Sequence, residues 1–261
     1  MRINAEMLTP DYCNSLSAEQ LAKQTLPSSE GEIAIGDLFK IEEDSSKSLL
    51  ISGDCQQFDY LGAKMKENQL KIEGSVGDYA AANLGGGQLE ITGDVGHYTA
   101  CNMSSGTVIV EGSAGDATGG ASIGAVQGMS GGTVIIMGNA GDRTANLMRR
   151  GLVVVRGNNG DYGAAHMKAG NLVVLKQNGS HCAYGMHRGT VLLNDASSTE
   201  KLGDTFISQP YNYNMDFLIL LYKHIGQLAP ALQKLPRKKL IRRYIGDLAV
   251  GGKGEVLVPY A

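Results

Sequence analysis

From residue 70 the chain reads LKIEGSVGDYAAANLGGG, from residue 89 LEITGDVGHYTACNMSSG, and from residue 153 VVVRGNNGDYGAAHMKAG. A motif rewritten at a fixed interval limits the fold more than any other feature here, because each copy must build the same small unit. The copies start at Leu49, Leu70, Leu89, Val108, Val134, Val153 and Leu172, and Val191 begins a last strand. Most starts are nineteen residues apart; the first spacing is two longer, and the spacing from Val108 to Val134 is seven longer. The frame is apolar-x-apolar-x-Gly-x-x-Gly-Asp-Tyr-x-Ala-x-x-Met-x-x-Gly-x.

Each column of the frame has a physical reading. The apolar-x-apolar opening is a short strand with one face inward. The Gly-x-x-Gly step (Gly74 and Gly77, Gly93 and Gly96, Gly138 and Gly141, Gly157 and Gly160) marks turns and predicts positive φ at these glycines. A further short extended piece carries a small residue and the column Met65, Leu84, Met103, Met129, Met148, Met167, Met186 inward. A last glycine turns the chain into the next strand, with Asn68 in its place in the first coil; Lys176 replaces the first glycine in the seventh. Both substitutions predict looser turns near the ends. One unit cannot bury its own face, so units must stack, at about 4.8 Å per coil. Seven coils make a prism on the order of 30–35 Å long.

The acids that follow the second glycine (Asp59, Asp78, Asp116, Asp142 and Asp161) read as caps on turn amides. A metal-binding stripe is the lesser alternative, because calcium loops gather several acids in one turn. The fold class is all-β: a right-handed parallel β-helix of about seven glycine-rich coils, with short helical segments covering both ends. Residues 1–48 read as an N-terminal cap, 49–195 as the β-helix and 196–261 as a C-terminal helical cap and tail. In the first cap, SAEQLAKQTL at 17–26 reads as a helix with Ser17 as N-cap and a Glu at its third position, and EIAIGDLFKI at 32–41 as a strand. In the second, residues 216–235 read as a helix ended near Pro230, with Phe217, Leu220, Leu221, Ile225 and Leu228 on one face.

The net charge of −3 gives no global pull toward nucleic acid or anionic membrane. The longest apolar stretch, FLILLY at 217–222, is too short to span a bilayer. The N-terminus lacks a secretory pattern, and Cys13, Cys55, Cys101 and Cys182 are scattered without a C-x-x-C, which reads as reduced thiols in a cytoplasmic protein. They read first as small buried hydrophobes.

Chemistry requires a break in the repeat. The histidines fall in different columns; His166 and His187 sit in adjacent coils, but two ligands do not make a zinc site. No nucleophile elbow and no metalloprotease motif is present. The seven extra residues of the fourth coil lie within ATGGASIGAV at 117–126; with Gly119 and Gly120 they read as a contact with another subunit, or as a tolerated bulge. The basic run holding Lys234, Arg237, Lys238, Lys239, Arg242 and Arg243 reads as a solvated or subunit-facing segment, with phosphate or a polyanionic tail as the sharper alternative.

The GxxGDYxA…M coils followed by the tail RRYIGDLAVGGKGEVLV at 242–258 resemble the C-type subunit of formylmethanofuran dehydrogenase and the related C-type subunit of the bacterial formyltransferase/hydrolase complex. The glycine-rich β-helix is also similar to the C-terminal domain of the glutamate synthase large subunit; the tail tips the choice. The resemblance implies a non-catalytic scaffold in tetrahydromethanopterin-linked one-carbon metabolism, with no cofactor and no catalytic or metal-ligating residue on this chain. It implies amidohydrolase-like, dehydrogenase-B-like and formyltransferase partners (the A-, B- and D-type subunits), with zinc on a partner. The formyl carrier would be a methanofuran-type cofactor with a polyglutamate tail, which Arg237, Lys238, Lys239, Arg242 and Arg243 are placed to meet. A tungsten or molybdenum formylmethanofuran dehydrogenase, a stand-alone glutamate-synthase-like domain and an independent β-helix enzyme are the competing readings. Richness in Asn and Gln favours a mesophilic, bacterial complex.

Overall fold

The computed structural model describes residues 1–42, 48–213, 217–232 and 241–259. Its spine is a run of strands that lie side by side in sequence order, all parallel: Leu49–Ser52, Gln69–Glu73, Gln88–Ile91, Thr107–Val110, Ser130–Ile136, Arg150–Val155, Asn171–Val174 and Thr190–Leu193. Their register pairs Leu49 with Leu70, Leu70 with Leu89, Leu89 with Val108, and so on through Val134, Val153, Leu172 and Val191. These are the residues that open each repeat, so the repeat period is the coil. A second wall is made by single parallel bridges that link Cys55, Val76, Val95, Ala114, Ala140, Asn159 and Asn178 from coil to coil. The architecture is a parallel β-helix.

The interior follows the columns. The methionine column is buried throughout, from Met65 to Met186, with Leu84 in its second place. Ala81, Ala100, Ala145, Ala164 and Ala183 fill the small-residue column, also buried. An unbranched thioether suits this stack, because it fills the uneven space between coils of unlike composition.

The strands differ along the rod. In the second and third coils Leu70, Ile72, Leu89 and Ile91 point in, while Lys71 and Glu90 point out. In the fifth to seventh coils and the strand that follows, the outward positions Ile135, Val154, Val173 and Leu192 are apolar and buried too. A strand buried on both faces reads as a continuous apolar run, and TVII, LVVV, NLVV and TVLL carry that signal. The cover is the helix Phe217–Leu228, whose Leu218 and Ile225 join Ile135, Val154, Val173 and Leu192 in one cluster. The helix therefore lies across the outer face of the sheet. Its inward stripe is Leu218, Leu221, Ile225 and Leu228, while Phe217 and Leu220 are exposed, a rotation from the face expected from sequence. It stops before Pro230, which disfavours helical backbone in the residue ahead of it.

Both ends are closed by added strands. The strand Gly254–Pro259 pairs parallel with Thr190–Leu193, and Ile241–Gly246 and then Ile207–Tyr213 continue antiparallel. At the other end Ile3–Asn4 pairs with Phe58–Asp59, and Thr25–Ser28 and Gly31–Ala34 extend that small sheet. Helices Pro10–Cys13, Ala18–Ala22 and Ile35–Leu38 pack Cys13, Leu21 and Ile35 onto the first coil.

Local expectations are corrected in several places. The helix after Ser17 ends at Ala22, and its reciprocal cap uses Gln20, not Glu19, because Gln20 holds the third helical position. Residues 32–41 are strand only to Ala34, then helix. Asn68 is not loose: it takes φ 65°, which Asn tolerates, and its side-chain amide donates to Asp11 Oδ1 at 2.7 Å. The third side of the coil is not extended. Residues such as Tyr79, Ala81 and Asn83 take left-handed φ of 61°, 56° and 55° at alternate positions. The Tyr79 and Asn83 amides donate forward to His97 O and Cys101 O, while the Ala81 amide donates back to Leu61 O. Each left-handed residue with a Cβ costs about 1–2 kcal/mol, offset by this alternating up-and-down bonding between coils.

Candidate functional site

The corner after each strand carries the family of side chains that sequence singled out. Asp59 Oδ1 accepts the Asp78 amide of the next coil at 2.8 Å, and Asp78 Oδ1 accepts the His97 amide at 2.8 Å. The series continues through Asp116, Asp142 and Asp161 to Ser180 at 2.7–2.9 Å. His97 stands in for a carboxylate, its Nδ1 accepting the Asp116 amide at 3.0 Å, which fixes the proton on the other ring nitrogen. The acids do cap amides, but those of the following coil, not of their own turn. A parallel series runs through Ser75, Asp94, Ser113, Asn139 and Asn158, each accepting the amide of the residue one coil on.

These two ladders explain the glycines. Gly93, Gly96, Gly138, Gly141, Gly157 and Gly160 do not have positive φ, contrary to the expectation; Gly74 does, at 158°, and Gly77 does not. They are glycine because the preceding coil's ladder side chain lies against their Cα. A Cβ on Gly96 would meet Asp78 Oδ1, on Gly141 Asp116 Oδ1, on Gly157 Asn139 Oδ1 and on Gly160 Asp142 Oδ1. A Cβ on Gly93 would lie 2.5 Å from Ser75 Oγ. The positive φ that closes the coil is carried by the last glycine, as at Gly106 (90°) and Gly151 (108°).

Beside the acids runs an aromatic column. The rings of Tyr60, Tyr79 and Tyr98 stack at 4.7 and 5.0 Å, nearly parallel, over Ala63, Ala82 and Cys101. Burial pushes the Tyr60 and Tyr79 hydroxyls up from their ordinary pKa. The column is interrupted at Ala117 and Arg143 and resumes with Tyr162, which stacks on His181 at 4.8 Å. Tyr184 meets Tyr162 and His166 edge-on at 6.2 and 5.4 Å.

The residues expected to form contacts fall in three places. Gly119 and Gly120 are buried within the coil: the Gly119 amide donates to Thr99 O at 2.8 Å and the Gly120 amide to Ala117 O at 2.9 Å. The residues that leave the frame are 121–127. Arg242 and Arg243 lie on the antiparallel strand Ile241–Gly246, where Arg243 Nε is 2.7 Å from Glu255 Oε2 and Glu255 accepts the Thr190 hydroxyl at 2.8 Å. Arg243 thus ties three strands of the C-terminal sheet together. Lys234, Arg237, Lys238 and Lys239 lie outside the described residues.

Sequence reasoning passed over Asp247. It is 3% exposed and accepts the Gly185 and Ala249 amides, each at 2.9 Å, so it pins the C-terminal tail to the last coil. Burial pushes its carboxyl up, but bonds from Thr205 and these two amides, with the nearby His166, hold it below its ordinary value. The Gly-Asp of the tail was its only signal. Asn159 and Asn178 were passed over as well: they replace the apolar wall residues of earlier coils, and Asn159 Nδ2 donates to Asn178 Oδ1 at 3.0 Å inside the prism.

All four cysteines are buried; burial pushes Cys13, Cys55 and Cys101 up to about 11 and Cys182 to about 12, far from a reactive thiolate. Among the described residues no three His, Cys, Asp or Glu side chains stand close enough to hold a metal ion. No described helix is long and apolar enough to cross a membrane. A cavity of about 1070 Å³ lies between the N-terminal cap and the first strands. Leu16, Leu21, Ile35, Phe39 and Leu50 line it, with charge from Lys40, Glu42, Lys71 and Glu90. Lys40 and Glu42 pair with each other at 2.6 Å.

Comparison with known proteins adds the following. The GXGXG motif family matches residues 39–208. The C-type subunit of the formyltransferase/hydrolase complex Fhc of Methylorubrum extorquens is 36% identical over 76 residues, a stretch that spans 29% of each protein. A chain in the X-ray crystal structure of the formyltransferase/hydrolase complex (FhcABCD) from Methylorubrum extorquens, in complex with methylofuran, is 35% identical. That likeness covers 100% of this chain and 96% of the other, with a TM-score of 0.91.

Proposed function

This chain belongs to the GXGXG motif family and is alike along its whole length to a chain of a formyltransferase/hydrolase complex, and from that premise we propose that it is the scaffold subunit of such a complex. The observation that carries the reading is likeness along the whole chain, caps and tail included, at 35% identity and a TM-score of 0.91. Shared coils alone would argue only for a β-helix. The closing elements are the least repetitive parts of the chain, and they match as well.

The scaffold role is supported by where the polar groups go. The acids of the repeat are spent on amides of the next coil and the thiols are buried, so both serve to hold the coils together. In this reading the chemistry belongs to partners: an amidohydrolase-like subunit with zinc, a dehydrogenase-B-like subunit and a formyltransferase. The complex would pass a formyl group between tetrahydromethanopterin and a methanofuran-type carrier, and release formate. This chain would fix the geometry of the others.

The test is purification through a tag on this chain from its own host, with partner identification, metal analysis and a formyl-transfer assay. Formyltransferase and amidohydrolase-like subunits arriving with zinc, without tungsten or molybdenum, are the expected result. Tungsten or molybdenum with iron–sulfur clusters would make it part of a formylmethanofuran dehydrogenase. Elution with glutaminase- or flavin-type chains would place it with glutamate synthase, and turnover by the chain alone would overturn the scaffold reading.

A further inference from the structure

The insertion in the fourth coil is an ordered projection with apolar tips. Ile123 and Val126 are each 78% exposed, the highest values of any large hydrophobic side chain described. Such exposure is ordinary in a slack loop, but this one is held at every stage. Asn102 bonds Ser122 twice, through Nδ2 to Oγ at 2.7 Å and through Oδ1 from the Ser122 amide at 3.1 Å. The Ala125 amide closes a turn on Ser122 O at 3.0 Å. Lys168 Nζ donates to Val126 O at 2.9 Å, Arg149 donates to Gln127 Oε1 at 3.3 Å, and the Gly128 amide donates to Leu147 O at 3.0 Å. The loop therefore reaches along the rod from the fourth coil to the sixth.

What it reaches is a patch of the same character. Leu147 is half-buried beside the loop, and His166 occupies its place one coil on. His166 then meets Tyr184 and, through it, Tyr162 and His181, all four exposed. Aromatic and aliphatic groups in a continuous exposed strip mark an interaction surface.

Charge says what kind of surface would cover it. Residues 49–107 hold seven acids and three cations, whereas residues 134–190 hold seven cations and two acids. The rod is polarised along its length, and the apolar strip lies on its basic half, with Arg149 and Lys168 at its border. A second copy of the chain would have to offer its acidic half. On that half Tyr60, Tyr79 and Tyr98 fill the column ring on ring, and the apolar hollow beside the N-terminal cap is lined by as many lysines (Lys40, Lys71) as glutamates (Glu42, Glu90), so it does not present the acidic ring this strip calls for.

We propose that the face of coils four to seven bearing residues 121–127 is the docking surface for another protein subunit of the complex. That subunit would present an apolar pocket for Ile123 and Val126, ringed by carboxylates that face Arg149, Lys168 and their basic neighbours. The inference rests on the reading of the chain as a subunit of a hetero-oligomeric complex. Apolar tips supply the buried contact, and the border charges set orientation and rate of association.

The experiment co-expresses the full chain with the other subunits of its host's complex and measures how much of it stays bound, by size exclusion with light scattering. The variants are Ile123→Asp with Val126→Asp and, separately, Arg149→Glu with Lys168→Glu; Leu50→Asp, exposed on the outer sheet face of the first coil, is the control. Circular dichroism of each chain alone reports folding. The expected result is that the wild type and the control remain bound, while each double variant folds and loses affinity by about tenfold or more. Added salt should weaken the wild-type complex. Double variants retained like the wild type would overturn the docking surface and leave the subunit reading intact. A wild-type chain that stays apart from the other subunits would overturn both. Wild-type self-association abolished by the Ile123→Asp, Val126→Asp variant would overturn the proposal in favour of a second copy.

Discussion

Gly141 and Gly203 separate two kinds of glycine that sequence cannot tell apart. A Cβ on Gly141 would run into the Asp116 carboxylate and lie 2.8 Å from the Asp116 amide nitrogen, whereas the nearest atom to a Cβ on Gly203 is Thr205 Oγ1 at 3.6 Å. Gly141→Ala must displace a ladder carboxylate or the backbone beneath it, at a cost of about 2–3 kcal/mol. Gly203→Ala should stay within about 0.5 kcal/mol. Denaturant unfolding of the two variants checks the difference. In the methionine column, Met148→Ala should cost about 2–5 kcal/mol in the same assay, since Met148 is fully buried and rigid coils limit collapse of the cavity. The columns themselves were legible, because burial at a fixed period forces the same residue size into each coil. The role of the glycines was not: close approach between coils and positive φ leave the same letter. Nor were the left-handed tyrosines and alanines, because their local preference runs against that conformation and only bonds to the coils above and below hold it.

At the scale of elements, the helix Phe217–Leu228 is the largest addition to the repeat. It makes the fifth to seventh coils two-sided, so the rod should be unevenly stable. In a solenoid each coil feels mainly its neighbours. Leu218→Asp with Ile225→Asp should therefore strip protection from the strands Ser130–Ile136, Arg150–Val155 and Asn171–Val174 in hydrogen exchange, while Gln69–Glu73 and Gln88–Ile91 keep theirs. Equal loss along the rod would contradict this. The helix was foreseen from its composition, but the face it buries was not. That face is set by the outward Ile135, Val154 and Val173, and only the unbroken apolar runs of those strands hinted at them.

The tail makes a pH prediction. The depressed pKa of Asp247 means that its carboxylate is favoured in the folded chain. The stabilisation is present above the ordinary carboxylate range and is lost as pH falls through the folded value. The melting temperature of the wild type should fall more steeply below about pH 4 than that of Asp247→Asn. At neutral pH the variant should already be less stable by about 1.5–3 kcal/mol, the worth of hydrogen bonds to a charged group.

The described residues form a rod of stacked coils with a polarised charge and an ordered projection at 121–127. Its repeat period and stacked parallel coils could be read from sequence because stacking imposes one rule on every coil; the helix expected to cap the C-terminal end lies instead along the outer face of the sheet. What the rod serves could not be read from the columns, because their side chains bond one coil to the next. It had to be read from the breaks in the frame, and residues 121–127 are the clearest break. Native mass spectrometry of the assembly purified through a tag on this chain, from its own host, decides whether the rod is a subunit or stands alone. The account predicts a hetero-oligomer that contains this chain, a formyltransferase and an amidohydrolase-like subunit, with formyl-transfer activity absent from the chain alone. A free monomer, or an assembly of this chain only, would contradict it.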